Sequence, residues 1–334
     1  MPEHTFKVFK GTESGAIKRD TTTKPALSGD QCYIRITASG LCGTDEHYRR
    51  AGMVLGHEGV GIVEETGPAV KNLKVGDRIG WGYQADCCGL CQQCLKGSET
   101  FCTERQLYGY HGHDQGSFAD NIVWREAFLF KIPESIPDEA AAPLQCGGAT
   151  VFQALNFYNT EAHERVGVVG IGGLGHLAIQ FAAKMGCEVV VFSSTENKKE
   201  EAMKLGASHF VATKGAKELK SPLIDRLLVT TSQQPDWDLY VPIMAPGATI
   251  YPLTVTGGDF KIPYMGLLAS GLTVQGSIVA TRFIQQRMLD FAALHKIYPM
   301  TVHYKMNEEG IQKAMDDLEA GKVRYRAVLF PEGK

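Results

Sequence analysis

Between residues 165 and 195 the chain reads RVGVVGIGGLGHLAIQFAAKMGCEVVVFSST: a short apolar run, a glycine turn, an amphipathic stretch and a second apolar run. That succession predicts a strand over 166–169, a tight turn, a helix and a second strand, the βαβ unit of a parallel sheet. Further apolar runs lie in RLLVTTS (226–232), GATIYPL (247–253) and LTVQGSIV (272–279). Strands alternating with crossovers make the second half α/β, with a doubly wound parallel sheet. Thr281 is placed to cap a helix over RFIQQRMLDFAALHK, and Asn307 a helix over EEGIQKAMDDLEAG that stops at Gly321. Before residue 145 the pattern changes. CYIRITASG, GVGIVEETG, VGDRIGWG and FADNIVW are short runs separated by glycines, and they predict a β-rich, barrel-like domain.

A length of 334 residues accommodates two such domains, and 44% hydrophobic with 21% charged residues is the balance of a soluble globular protein. No apolar run approaches the roughly 20 residues of a spanning helix, so no membrane partner is expected. MPEHTFKVFKGTES lacks the apolar core of a signal peptide, and LFPEGK carries no lipidation or retention signal; the expected location is cytoplasmic. The 34 basic and 37 acidic residues are spread through the chain, which leaves no electrostatic footprint for nucleic acid.

In a reducing compartment, nine cysteines read as metal ligands, catalytic thiols or small buried apolar groups before they read as disulfides. Cys88, Cys91, Cys94 and Cys102 follow C-x2-C-x2-C-x7-C within DCCGLCQQCLKGSETFC. Two-residue gaps let successive thiolates converge on one tetrahedral ion, and the longer gap brings in the fourth corner. Four sulfurs close the shell, so the expectation is a structural zinc that contributes folding energy and no chemistry. A redox pair and an iron–sulfur cluster are the alternatives. Cys87 falls outside the spacing and is expected to be a bystander.

Gly170, Gly172 and Gly175 form G-x-G-x-x-G between strand and helix, which permits a tight turn and close approach of the backbone to a pyrophosphate. With Gly173 and Leu174 they make the candidate cofactor cradle, its phosphates facing the helix N-terminus. The following strand ends in Ser193, Ser194 and Thr195 where an acidic residue would hold the ribose of NAD. Those hydroxyls, with Lys198 and Lys199, suit a 2′-phosphate, so NADP(H) is expected over NAD(H). Glu196 argues the other way, unless it only complements the dipole of the next helix.

Three more stretches, GLCGTDEHY (40–48), LGHEGVG (55–61) and PLQCGGAT (143–150), are unremarkable singly. Taken in order with the cysteine loop and the glycine motif, they resemble the zinc-dependent medium-chain alcohol dehydrogenases over nearly the whole chain. GIGGLGHLAIQFAAKMG and FSSTENKKEEA are most similar to the NADP-dependent cinnamyl alcohol dehydrogenase branch. The resemblance implies a GroES-like catalytic domain over 1–147 and 285–334, closed by VRYRAVLF as a returning strand, around a Rossmann domain over 148–284. It implies two zinc ions per chain, with Cys42, His57 and Cys146 as ligands of the catalytic one. Glu58 corresponds to a carboxylate that enters the metal shell during ligand exchange, and Asp45 to one that supports the ligands from behind. Thr44 and His47 correspond to a proton relay, and Thr150 to a position beside the nicotinamide.

The activity so implied is hydride transfer between NADP(H) and a primary or secondary alcohol, or the matching aldehyde or ketone, in a homodimer. The alternatives are reduction of a C=C or C=N bond in a specialised metabolite, and a nonenzymatic nucleotide sensor. Retention of Thr44 and His47 favours ordinary alcohol and aldehyde chemistry. Between Cys42 and His57 the segment GTDEHYRRAGMVLG is shorter than the family pattern, so a more open or differently shaped pocket entrance is expected.

Overall fold

The computed structural model of the chain describes residues 3–332. It divides into two compact units, Met1–Cys146 with Ala280–Lys334, and Gly147–Val279. Among the described residues no helix is long and apolar enough to cross a membrane.

The second unit is built on a six-stranded, wholly parallel sheet in the order His209–Ala212, Glu188–Ser193, Arg165–Val169, Ile224–Val229, Met244–Pro252, Thr273–Val274. Its central strands are apolar on both faces, as a sheet covered by helices on each side requires: Val166, Val168, Val190, Leu227 and Ile250 are fully buried. The earliest strand, Arg165–Val169, lies in the middle, and the chain winds outward from it in both directions. The order therefore reverses at its C-terminal end, where such sheets bind ligands. The helix Gly175–Lys184 follows directly. This is the doubly wound α/β architecture expected from the apolar pattern.

Two expected strands are shorter than their apolar runs. The run over 226–232 stops at Val229, where the Thr230 N–H (3.1 Å) and hydroxyl (2.8 Å) both bond the Val169 carbonyl. Of 272–279, only Thr273–Val274 pairs, since Gln275 and Gly276 offer no apolar side chain to a sheet edge. The short edge strand His209–Ala212 has no counterpart among the expected elements.

In the first unit, seven strands form one strongly curved sheet. Its path runs Thr301–Lys305, Arg326–Phe330, Gln31–Leu41, Glu58–Thr66, Arg78–Trp81, Phe130–Lys131, and Asn121–Arg125 also pairs with Gln31–Leu41. Leading hairpin strands His4–Gly11 and Ile17–Lys24 pack onto the same core, which centres on Ile34, Ile36, Trp81, Phe118 and Met315. The β-rich expectation holds, and the late strand Arg326–Phe330 returns antiparallel to Gln31–Leu41. Close packing depends on particular glycines: a Cβ on Gly59 would run into the Trp81 ring, and one on Gly40 into the Glu58 carboxylate.

Asn307 caps the helix Glu308–Glu319 as expected, its Oδ1 accepting from Gly310 N at 2.7 Å. Gly321 lies just past the end at φ 66°. Thr281 holds the N-cap position of the helix Arg282–His295, but its side chain does not cap. The carboxylate of Glu99 does so instead, accepting from Arg282 N at 2.6 Å. Replacing Asn307 by Ala removes one capping bond, and urea denaturation is expected to register a loss of about 1 kcal/mol with no change in the slope.

Candidate functional site

The stretch GLCGTDEHY ends one strand and begins a short helix, Gly43–Tyr48, and Cys42 is its N-cap. The Cys42 thiol accepts from Thr44 N (3.4 Å) while Asp45 Oδ2 reaches back to Cys42 N (3.0 Å), a reciprocal capping box. The sulfur is thereby aimed out of the helix start. Asp45 is completely buried, and its Oδ1 accepts from His57 Nδ1 (3.0 Å), Gly56 N (3.2 Å) and the Tyr108 hydroxyl (3.1 Å). With Nδ1 bonded to a carboxylate, Nε2 is the ring nitrogen of His57 left to face the other donors. That atom lies 3.5 Å from Cys42 Sγ and 3.8 Å from Glu58 Oε1. Cys146 completes the group from a wide π-helical turn, Leu144–Gly148, entered from the helix Asp138–Pro143.

One donor atom from each of Cys42, His57, Glu58 and Cys146 lies within 4.8 Å of all the others. At bond lengths of about 2.3 Å to sulfur and about 2.0 Å to nitrogen, tetrahedral corners are roughly 3.5 Å apart, which the Cys42–His57 separation matches. The donors fit a zinc ion in kind as well: two soft sulfurs, one imidazole of fixed tautomer, and a carboxylate. Glu58 Oε2 has no hydrogen-bond partner among the described residues although it is buried.

The electrostatics of the cluster follow from burial. Hydrogen bonding from the Cys146 thiol holds the Cys42 thiol well below the usual range, against the cost of desolvation and helped by His57. The same bond, with burial, pushes Cys146 up. Burial works against the charge on His57, but Asp45 and Cys42 outweigh it and raise the imidazole well above its ordinary range. Burial pushes Glu58 up to about 8, although Arg326 opposes it. Arg326 Nη2 donates to Glu58 Oε1 in a pair wholly removed from solvent.

Arg326 and Tyr108 are residues that sequence reasoning missed. An arginine within the apolar strand run of VRYRAVLF is a visible anomaly, because a charge on a core strand needs a partner. Tyr108 offers no local signal: its ring stacks on His57 at 4.8 Å, and Tyr83 stands edge-on to the same imidazole at 5.7 Å. Thr44 is half-buried and His47 exposed on the Gly43–Tyr48 helix. Among the described residues neither side chain makes a hydrogen bond to the cluster.

A second metal-binding candidate joins Cys88, Cys91, Cys94 and Cys102. Sulfur separations of 3.5 Å (Cys102–Cys88), 3.6 Å (Cys91–Cys94) and 3.9 Å (Cys88–Cys94) bracket the roughly 3.8 Å between corners of a Zn–S4 tetrahedron. Backbone N–H groups of Cys91 and Glu104 point at Cys88 and Cys102 sulfurs, as they would toward thiolates. All nine cysteines are free thiols. Cys87 stands outside the group.

In the second unit the glycine motif turns sharply after Val169. Gly170 takes φ 91°, and a Cβ on Gly175 would collide with the Gly170 carbonyl, while Gly172 opens on empty space. Gly173 and Leu174 lead into the helix, with Leu174 at its N-cap. Ser193 ends the adjacent strand, and Ser194 and Thr195 are exposed just beyond it. Lys198 reaches back to the Ile171 carbonyl (2.7 Å) and so braces the turn, whereas Lys199 pairs with Glu196 (3.3 Å) on the surface. Thr150 is buried on the helix Ala149–Phe152.

A doubly wound sheet with a glycine-rich turn, and a β-rich unit carrying two groups of side chains that could each hold a metal ion, are the marks of a metal-dependent dehydrogenase. Residues 28–134 match the alcohol dehydrogenase GroES-like domain, and residues 173–294 the zinc-binding dehydrogenase family. The chain is 34% identical to a probable formaldehyde dehydrogenase of Bacillus subtilis, over 98% of each protein. It is 32% identical to an NADP-dependent alcohol dehydrogenase of Mycolicibacterium smegmatis, over 94% of each. A solved cinnamyl alcohol dehydrogenase from Sorghum bicolor superposes with a TM-score of 0.88 at 30% identity, over 98% of each chain. The chain belongs to the zinc-dependent alcohol dehydrogenase family.

If Asp45 holds His57 in its ligand tautomer, Asp45→Asn should weaken metal binding at this cluster by about 10- to 100-fold in a chelator competition. The four-cysteine cluster should keep its metal in that variant. Cys102→Ser should instead halve a metal content of two ions per chain and lower the melting temperature.

Proposed function

We propose that this protein interconverts primary or secondary alcohols with aldehydes or ketones, using NADP(H) and a zinc ion held by Cys42, His57 and Cys146. The observation that carries the reading is the buried His57, whose Nδ1 is bonded to Asp45 and whose Nε2 lies 3.5 Å from Cys42 Sγ. Zinc in such a set supplies Lewis-acid polarisation of the substrate oxygen, and the nicotinamide supplies or accepts hydride.

The side chains have distinct tasks. Asp45 keeps the imidazole in one tautomer and one orientation. Glu58, tethered to Arg326, balances charge beside the donor group and would offer a carboxylate oxygen to a zinc ion held there. Tyr108 and Tyr83 wrap the imidazole in aromatic surface, which thins the water around it and strengthens every charge interaction in the site. Thr44 and His47 carry the alcohol proton outward, from a half-buried hydroxyl to an exposed imidazole. The cluster of Cys88, Cys91, Cys94 and Cys102 holds a structural zinc.

For the cofactor, Gly170, Gly172, Gly173, Leu174 and Gly175 cradle the pyrophosphate, and Thr150 lies on the nicotinamide side. The exposed hydroxyls of Ser194 and Thr195, following Ser193, support a 2′-phosphate and hence NADP(H), with Lys199 beside them. Lys198 contributes by bracing the turn as well as by its charge. The open sheet edge at Thr273–Val274, with Tyr264, Met265 and Leu268 exposed on the preceding helix, supports a homodimer.

At equal concentrations NADPH should sustain reduction of an aldehyde panel far better than NADH, and a chelator should abolish it. A clear preference for NADH would overturn the cofactor assignment; turnover only with enones or iminium ions would overturn the substrate class. Cys146→Ser should lower carbonyl reduction by orders of magnitude while fluorescence titration shows NADPH still bound.

A further inference from the structure

Cys146 is the donor of its cluster that comes from far along the chain, and the neighbouring residue is held unusually tightly. Gln145 is 1% exposed, and its amide lies against Gly80 so closely that a Cβ there would overlap it; a Cβ on Gly82 would likewise meet the Gln145 carbonyl. Gln145 Nε2 donates to the Ala141 carbonyl (3.1 Å). Its Oε1 accepts from Gln285 Nε2 (2.9 Å), and the same nitrogen donates to the Gln145 main-chain carbonyl (3.3 Å). Gln285 is itself only 3% exposed. The Gln145 amide thus has one allowed orientation, since a flip would set its N–H against that of Gln285 and its oxygen against a carbonyl.

Gln285 projects from the first turn of the helix Arg282–His295. The first N–H of that helix is bonded to Glu99 Oε1 (2.6 Å), which also accepts from Arg282 Nε (3.2 Å). Glu99 is 2% exposed and lies between Cys94 and Cys102 in the four-cysteine loop, where Gln84 Nε2 donates to its carbonyl (3.2 Å). A series of polar contacts, joined across the first turn of this helix, therefore leads from one cysteine cluster to the other through Glu99, the helix start, Gln285 and Gln145.

We propose that Gln145 and Gln285 are positioning residues that set the Cys146 thiol toward Cys42 and His57, and that Glu99 anchors this pair to the four-cysteine loop. The proposal rests on the reading of Cys146 as a metal ligand. The physical basis is the cost of leaving buried amides and carbonyls without partners: these side-chain bonds add to the backbone bonds of the wide turn Leu144–Gly148 and tie it to a separate helix. A loop held for its metal thereby governs the geometry of a thiol in a different cluster.

The test uses the full-length protein loaded with cobalt in place of zinc. The absorption of the ion distinguishes a site of two sulfurs and one nitrogen from a site of four sulfurs, and chelator-driven loss gives a rate for each. Gln285→Leu, close in size but without a donor, is expected to shift the spectrum of the mixed site and speed its metal loss by about 10-fold or more. The four-sulfur spectrum should stay as it is. Gln285→Asn serves the same comparison if the leucine variant does not fold. Glu99→Ala should also speed loss from the mixed site, and Glu99→Gln, which still offers an oxygen to Arg282, should restore it.

Unchanged spectrum and rate at the mixed site in the folded Gln285 variants would overturn the positioning role. A Glu99→Ala effect confined to the four-sulfur site would overturn the link. Cys146→Ser serves as the control for the underlying reading: if it leaves the mixed-site metal in place, that reading fails and the positioning role falls with it, whereas a Cys146→Ser loss with unchanged Gln285 variants overturns the positioning role alone.

Discussion

The buried carboxylate of Asp45 is the constraint around which the first unit is organised. Its two oxygens gather Cys42 N, Gly56 N, the His57 imidazole and the Tyr108 hydroxyl, so the Asp45 helix and two other backbone segments converge on one anion. A carboxylate with no exposure persists only when its lone pairs are filled, and here every donor is also a piece of the site. The capping box that begins the Gly43–Tyr48 helix, the loop that presents His57 and the aromatic stack against it are all held by the same group. Loosening any one of them would free the imidazole to rotate, and an imidazole of the wrong tautomer offers a proton where a lone pair is needed.

The second organising charge pair, Glu58 with Arg326, has a different logic. Taking both ions out of water costs more than their attraction returns unless each is otherwise satisfied, and a buried pair of this kind is poor evidence for stability. Glu58 Oε2 and Arg326 Nε are both left without hydrogen bonds among the described residues. A pair so incompletely satisfied makes sense beside a site that receives a cation, where spare acceptor capacity is put to use. The glycine at position 40 belongs to the same design, because only a residue without a side chain admits the Glu58 carboxylate at that depth.

Much of this was legible from local spacing. The four cysteines of residues 88–102 and the glycines of 170–175 advertise themselves because the geometry they serve is made within one short loop. The alternation of apolar runs was enough for both architectures, and Asn307 announced its helix. What escaped was non-local. Arg326 meets Glu58, Gln285 meets Gln145, and Glu99 replaces Thr281 as a cap, all across separations that no periodicity encodes. Strand ends escaped for a related reason: Thr230 has good strand propensity, yet pairing ends at Val229, and where a ladder stops depends on neighbouring strands rather than on local sequence. Lys198 looked like a phosphate ligand by position, and its reach back to the Ile171 carbonyl depends on a turn geometry that sequence does not display.

The return of the strand Arg326–Phe330 to the side of Gln31–Leu41 has a consequence for synthesis of the chain. On the ribosome Glu58 emerges early, and the guanidinium that neutralises it emerges only after the whole of Gly147–Val279 has been made. Until then the sheet lacks a strand and Glu58 lacks its arginine, so the first unit cannot be completed before the intervening unit has been made.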